Sequence, residues 1–161
     1  MRLTTYTDYT LRVLMYLTLK YESGELVTID QIASAYAISR NHLMKIVHNL
    51  SVHGLLETTR GRSGGMRLAR PPSEVSIGEI VRWSEDDFTL VECHSSGKES
   101  SCVIFPACNL KLGFQRALQA FMQELDTMTL ADAVNSPRTA QSLLGIPILS
   151  KRSVGLKRLA V

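Results

Sequence analysis

The chain has 161 residues, 45% of them hydrophobic and 20% charged, which suits a globular chain of one domain, or of a small domain plus an appendage. No run reaches the roughly eighteen apolar residues of a membrane span, Asp8 and Arg12 interrupt the only apolar stretch near the start, and three cysteines fit a disulfide framework poorly, so a cytoplasmic protein with reduced thiols is expected. The net charge of +3 is segregated: residues 1–72 carry nine Lys/Arg against five Asp/Glu, residues 73–134 four against ten, and residues 135–161 five against none, which suggests a polyanion-binding module joined to something with another task.

Thr5-Tyr6-Thr7-Asp8 opens a helical pattern in which Tyr9, Val13, Tyr16 and Leu17 recur on one face. Asp8 reads as a first-turn carboxylate capping that helix, three residues after Thr5. Ser23-Gly24-Glu25 ends the pattern. Thr28-Ile29-Asp30-Gln31 is a capping box that starts a short helix to about Tyr36. Ala37-Ile38 makes a turn, Ser39 caps the next helix, and Leu43, Ile46, Val47 and Leu50 point inward together. Asn41, Lys45 and His48 lie opposite that stripe, with Arg40 and His42 beside the helix start. Two short helices around a tight turn, the second showing basic and amide groups outward, describe a helix-turn-helix with its recognition helix. Asn41, Lys45 and His48 are the expected base-edge contacts, whereas His53 reads as solvent-facing.

Gly54 stops this helix. Residues 55–59 and 66–69 read as two strands joined by Arg60-Gly61-Arg62-Ser63-Gly64-Gly65, a wing rich in arginine. Arg40, His42, Arg60, Arg62 and Arg67 are the expected contacts to phosphates or the minor groove. Pro71-Pro72 closes the module. Ser76-Ile77-Gly78-Glu79 is a further capping box, opening a helix with Ile80, Val81 and Trp83. Past the cysteines, Phe114, Leu118, Phe121, Leu125 and Met128 are spaced four, three, four and three, which predicts a helix over about 109–128 with a helix-packing seam and hence a homodimer. No structure is expected after Asn135-Ser136-Pro137.

Cys93, Cys102 and Cys108 are the only cysteines, and all lie in one stretch whose Ser- and Gly-rich interior buries too little apolar area to fix its own shape. A bound metal is the natural constraint. Eight and five residues separate the successive cysteines, and this spacing leaves structural zinc and an iron-sulfur cluster comparable. A thiol switch is a third reading. No nucleophile-base constellation or phosphate-binding glycine motif points to an enzyme.

Arg2-Leu3-Thr4 with Thr7-Asp8-Tyr9, the run from Ser39 to Ile46, the run from Arg60 to Leu68, Cys108 after Pro106-Ala107, and Thr129-Leu130-Ala131-Asp132 together resemble the NsrR repressors. These form a nitric-oxide-sensing branch of the bacterial winged-helix family that also contains the iron-sulfur regulator IscR and the iron regulator RirA. The resemblance covers residues 1–134. It implies a homodimeric repressor of nitric-oxide detoxification genes that holds an iron-sulfur cluster on Cys93, Cys102 and Cys108 and leaves its operators when the cluster is nitrosylated. A 4Fe-4S cluster is favoured, although the family also uses 2Fe-2S. Glu92, His94, Glu99 and Asp8 are all chemically able to supply a fourth ligand, and the resemblance implies Asp8, reaching across from the partner subunit. An iron- or redox-sensing regulator of the same family is the alternative. The expected architecture is mainly α with a small β-wing: a winged helix-turn-helix DNA-binding domain over 1–72, a cluster-binding loop and dimerisation helix over 73–134, and a basic, flexible tail over 135–161.

Overall fold

The computed structural model describes residues 2–94 and 102–147; Glu99 and the basic run beyond 147 lie outside the described residues. Helix α1, Thr5–Lys20, begins at Thr4, whose hydroxyl accepts from the Thr7 amide at 3.2 Å. The helix opens at Thr5 with Asp8 in its first turn, as expected, but the cap differs. Thr4 supplies the cap, and the Asp8 carboxylate instead pairs with Arg12 one turn further on, at 2.8 Å, the spacing at which helix side chains meet. Val13, Leu14, Tyr16 and Leu17 are buried, and most of the other elements pack against this helix.

Val27 exchanges backbone hydrogen bonds of 2.9 and 2.8 Å with Met66, adding a one-residue third strand beside the hairpin. Helix α2, Ile29–Tyr36, carries the capping box complete: Thr28 accepts from the Gln31 amide while Gln31 accepts from the Thr28 amide. Ala37 takes the left-handed conformation (φ 53°) and Ile38 tucks into the core. Helix α3, Arg40–Val52, follows with Ser39 as its cap and Leu43, Ile46, Val47 and Leu50 buried. Strands β1, Leu56–Thr59, and β2, Gly65–Leu68, pair antiparallel with Leu56 opposite Leu68 and Thr59 opposite Gly65. The turn between them closes so tightly that a Cβ on Gly64 would stand 2.2 Å from the Thr59 carbonyl oxygen.

Helix α4, Ile77–Ser84, is capped by Ser76, but only half of the expected capping box forms. The Glu79 carboxylate accepts from Arg70 at 2.6 Å, a charged partner that outcompetes the neutral Ser76 amide. Helix α5, Leu110–Thr127, approaches α4 where Gly78 leaves room for Asp126, which pairs with Arg82 at 2.5 Å. The chain then returns to the core. Ile77 donates to the Met128 carbonyl, Leu130 donates to that of Val75, and Leu130 at the start of α6, Leu130–Ala133, is fully buried.

The segment read as an unstructured tail from residue 135 is partly helical. Helix α7, Pro137–Leu143, lies against α1, where Gln141 donates to the Leu19 carbonyl at 3.1 Å, and Ile146 is buried. One hydrophobic core therefore runs from α1 through α4 to Leu130, Val134 and Ile146. No helix among the described residues is long and apolar enough to cross a membrane.

Candidate nucleic-acid interface and thiol segment

The outward face of α3 presents Asn41, His42, Met44, Lys45 and His48, all exposed, because the other face is committed to the core. Arg40 forms an ion pair with Asp30 of α2 at 3.0 Å, which ties the start of the recognition helix to its neighbour. His42 leans on the Tyr9 ring, with centroids 6.0 Å apart, and the Lys45 ammonium lies 5.9 Å from the Tyr6 ring. Arg60 and Arg62 are exposed on the hairpin turn. Arg67 faces Glu57 across the hairpin and donates twice to one carboxylate oxygen, at 2.7 and 2.8 Å. Exposed pairs of this kind are worth about 0–1 kcal/mol, so a phosphate can take over either arginine at small cost.

Cys93 and Cys108 carry half-buried free thiols and Cys102 is exposed. Cys93 lies in a short turn beyond α4, and Cys108 stands two residues ahead of α5, following a turn at Phe105–Ala107. Lys111 reaches back from α5 to donate to the Phe105 carbonyl at 3.0 Å, with its ammonium 3.9 Å from the Phe105 ring. That cation and the start of an eighteen-residue helix both favour negative charge at this spot. Among the described residues no three His, Cys, Asp or Glu side chains stand together as a metal-holding group, and Asp8 is engaged with Arg12 on the exposed side of α1. The interior of the thiol segment, with its Glu99, is outside the described residues.

The two regions are joined through α4. Thr4 donates to Glu85 from its amide at 2.7 Å, and Thr7 donates to Ser84 at 2.9 Å in a buried contact, so the start of α1 is tied to the end of α4. Trp83 stacks on His53, the residue that ends α3, with ring centroids 4.3 Å apart, and meets Tyr6 edge-on at 6.5 Å. Tyr6 in turn accepts a hydrogen bond from Asn49 of α3 at 2.7 Å. His53 is exposed, as expected, and one face of its ring also serves as the stacking partner of Trp83.

Residues 3–136 match Rrf2, a family described as iron-dependent transcriptional regulators. The chain belongs to the Rrf2 family. It is 49% identical over 144 residues to the HTH-type transcriptional regulator NsrR of Bacillus subtilis strain 168, spanning 89% of this chain and 97% of that one. The corresponding NsrR of Bacillus licheniformis is 47% identical, spanning 89% and 99%. Among solved structures, CymR of B. subtilis, the global cysteine regulator, superposes with a TM-score of 0.68 at 27% identity over 84% of this chain and 97% of that one. IscR of T. potens gives 0.67 at 26% identity over 88% and 91%. This Rrf2 protein is accordingly an NsrR-type, DNA-binding transcriptional repressor of winged-helix fold and not an enzyme.

Within this Rrf2 chain, sequence reasoning missed Met44 and the aromatic set around Trp83. Met44 interrupts a polar face and invites no charge argument. The Trp83 contacts join residues distant in sequence, which periodicity does not register.

Proposed function

We propose that this repressor senses nitric oxide through an iron-sulfur cluster held by Cys93, Cys102 and Cys108, with Asp8 contributed across a homodimer. The observation that carries the reading is the gathering of all three cysteines of the chain into one segment between α4 and α5, bordered by a helix start and Lys111. Soft thiolates suit iron-sulfur ligation, and three of them leave one position of a cubane cluster for an oxygen ligand. The strong likeness to NsrR regulators supports nitric oxide as the signal. The cluster would supply the centre that reacts with nitric oxide and, while intact, the link that orders the segment.

The rest is the work of the chain's own side chains. The segment leaves α4 at Glu85, which receives Thr4, and one residue before Ser84, where Trp83 stacks on His53 at the end of the recognition helix. A change in the segment thereby reaches α1 and α3 through packed side chains rather than through a flexible linker. A hundredfold loss of operator affinity requires about 2.8 kcal/mol of coupling, within the range of ordinary allosteric energies. Asn41, Lys45 and His48 read base edges in this scheme, while Arg40, His42, Arg60, Arg62 and Arg67 hold phosphates or the minor groove.

Oxygen-free purification followed by iron and sulfide analysis and visible absorption tests the proposal. Coloured protein that loses operator binding on exposure to nitric oxide, and a Cys108→Ser variant lacking both properties, are expected. Colourless protein carrying zinc overturns the cluster. Release by an iron chelator with indifference to nitric oxide reassigns the signal to iron.

A further inference from the structure

We propose that Met44 is a specificity-determining residue that reads the C5-methyl group of a thymine in the major groove. The proposal rests on α3 being the recognition helix and adds a contact of a different chemical kind from the polar ones assigned there.

Four residues of α3 are turned into the core, and the opposite arc holds Asn41, Met44, Lys45 and His48. Met44 is 48% exposed in the middle of that arc, three residues after Asn41 and four before His48, so all three fall on one row of the helix surface. Its neighbours are partly committed elsewhere: Arg40 pairs with Asp30, and the Lys45 ammonium is drawn towards Tyr6. An unbranched thioether is thus left at the centre of the row most able to enter a groove.

The chemistry of the groove floor narrows what it meets there. Base-pair edges in the major groove present hydrogen-bond donors and acceptors, with one apolar exception, the thymine methyl. A methionine, whose sulfur is only a weak acceptor, gains little from an amino, carbonyl or ring-nitrogen edge and would strip water from it. Against a methyl group it buries apolar surface on both sides, and its flexible chain adapts to the rise between base pairs. Asn41 one turn earlier is the type of side chain that pairs with adenine, whose partner strand carries the thymine, so the two contacts are compatible on adjacent steps. Burying one methyl is worth about 0.8 kcal/mol, or about fourfold in affinity.

The test uses the full chain, prepared without oxygen, and a duplex obtained by selecting tight binders from random double-stranded DNA. Each thymine of the selected site is replaced singly by deoxyuridine, which removes the methyl and nothing else. At one or two positions per half-site, wild type is expected to bind about fourfold more weakly. Met44→Leu should keep that discrimination, whereas Met44→Ala and Met44→Gln should bind the thymine and uracil duplexes equally. Because Met44 is exposed, all three variants should melt with the wild type, and thermal denaturation checks this. Uracil substitutions without effect on wild type, or with the same effect in Met44→Ala, overturn the assignment while leaving α3 as the reading helix. Selection that enriches no sequence overturns the recognition-helix reading itself.

Discussion

Asp8 stands in two possible relationships that a single substitution separates. In the protomer it forms an exposed ion pair with Arg12, and that contact raises the guanidinium above its ordinary value chiefly through the hydrogen bond from Arg12 to the carboxylate. Helix pairs at this spacing contribute roughly 0.2–0.5 kcal/mol, so Asp8→Ala should leave the melting of cluster-free protein almost unchanged. If Asp8 also completes an iron site across the dimer, the same variant should alter the visible spectrum of oxygen-free protein and its rate of reaction with nitric oxide. A variant that melts normally and retains the wild-type spectrum and rate would return Asp8 to a purely local role. Sequence placed Asp8 in the first turn, where it lies, but took Thr5 rather than Thr4 as the capping hydroxyl, because two adjacent threonines are equally good caps by residue type.

The elements most legible in the sequence were those with a chemical punctuation mark. Thr28 with Gln31, Ser39 and Gly54 set helix limits through hydroxyls, an amide and a glycine whose partners lie within four residues. Less legible were elements defined by distant contacts: Val27, a strand of one residue, and α7, which has no periodic stripe but is held by Gln141 and Ile146. The wing depends on such a local mark. Gly64→Ala drives a Cβ to 2.2 Å from a backbone oxygen that has no freedom to swing aside. It should cost about 1–3 kcal/mol of stability and weaken operator binding by misplacing Arg60 and Arg62, as thermal denaturation and DNA titration will show. The junction of α4 and α5 offers a pH test. Hydrogen bonds from Arg82 hold the Asp126 carboxyl below its ordinary value of 3.8. A lowered carboxyl contributes stability that is complete above its unfolded value and fades as pH falls through its folded one. Asp126→Asn should therefore melt slightly below wild type at neutral pH, and the two should converge as pH drops below 3.8.

At the scale of the molecule, α5 carries an apolar stripe that its own protomer covers only in part. Met122 and Leu125 pack on the core, but Phe114, Leu118 and Phe121 on the same stripe are half-buried outside it, and Leu110 and Leu112 are exposed. Eighteen residues give a helix about 27 Å long, and a second copy lying along it is the arrangement a two-fold DNA reader needs to set recognition helices about 34 Å apart. Stable interfaces bury roughly 1,200–2,000 Å², most of which a paired seam of this length would have to supply together with its flanks. Leu118→Glu places a charge in the middle of the stripe without touching the core. In sedimentation experiments the wild type should be a dimer and this variant a monomer with unchanged helix content. Binding to a complete operator should fall by roughly 10²–10⁴, the usual gain from tethering two sites, while binding to an isolated half-site should stay as it was. Equal losses on both DNAs would mean that the substitution damages the reading head and that α5 faces something other than its own copy.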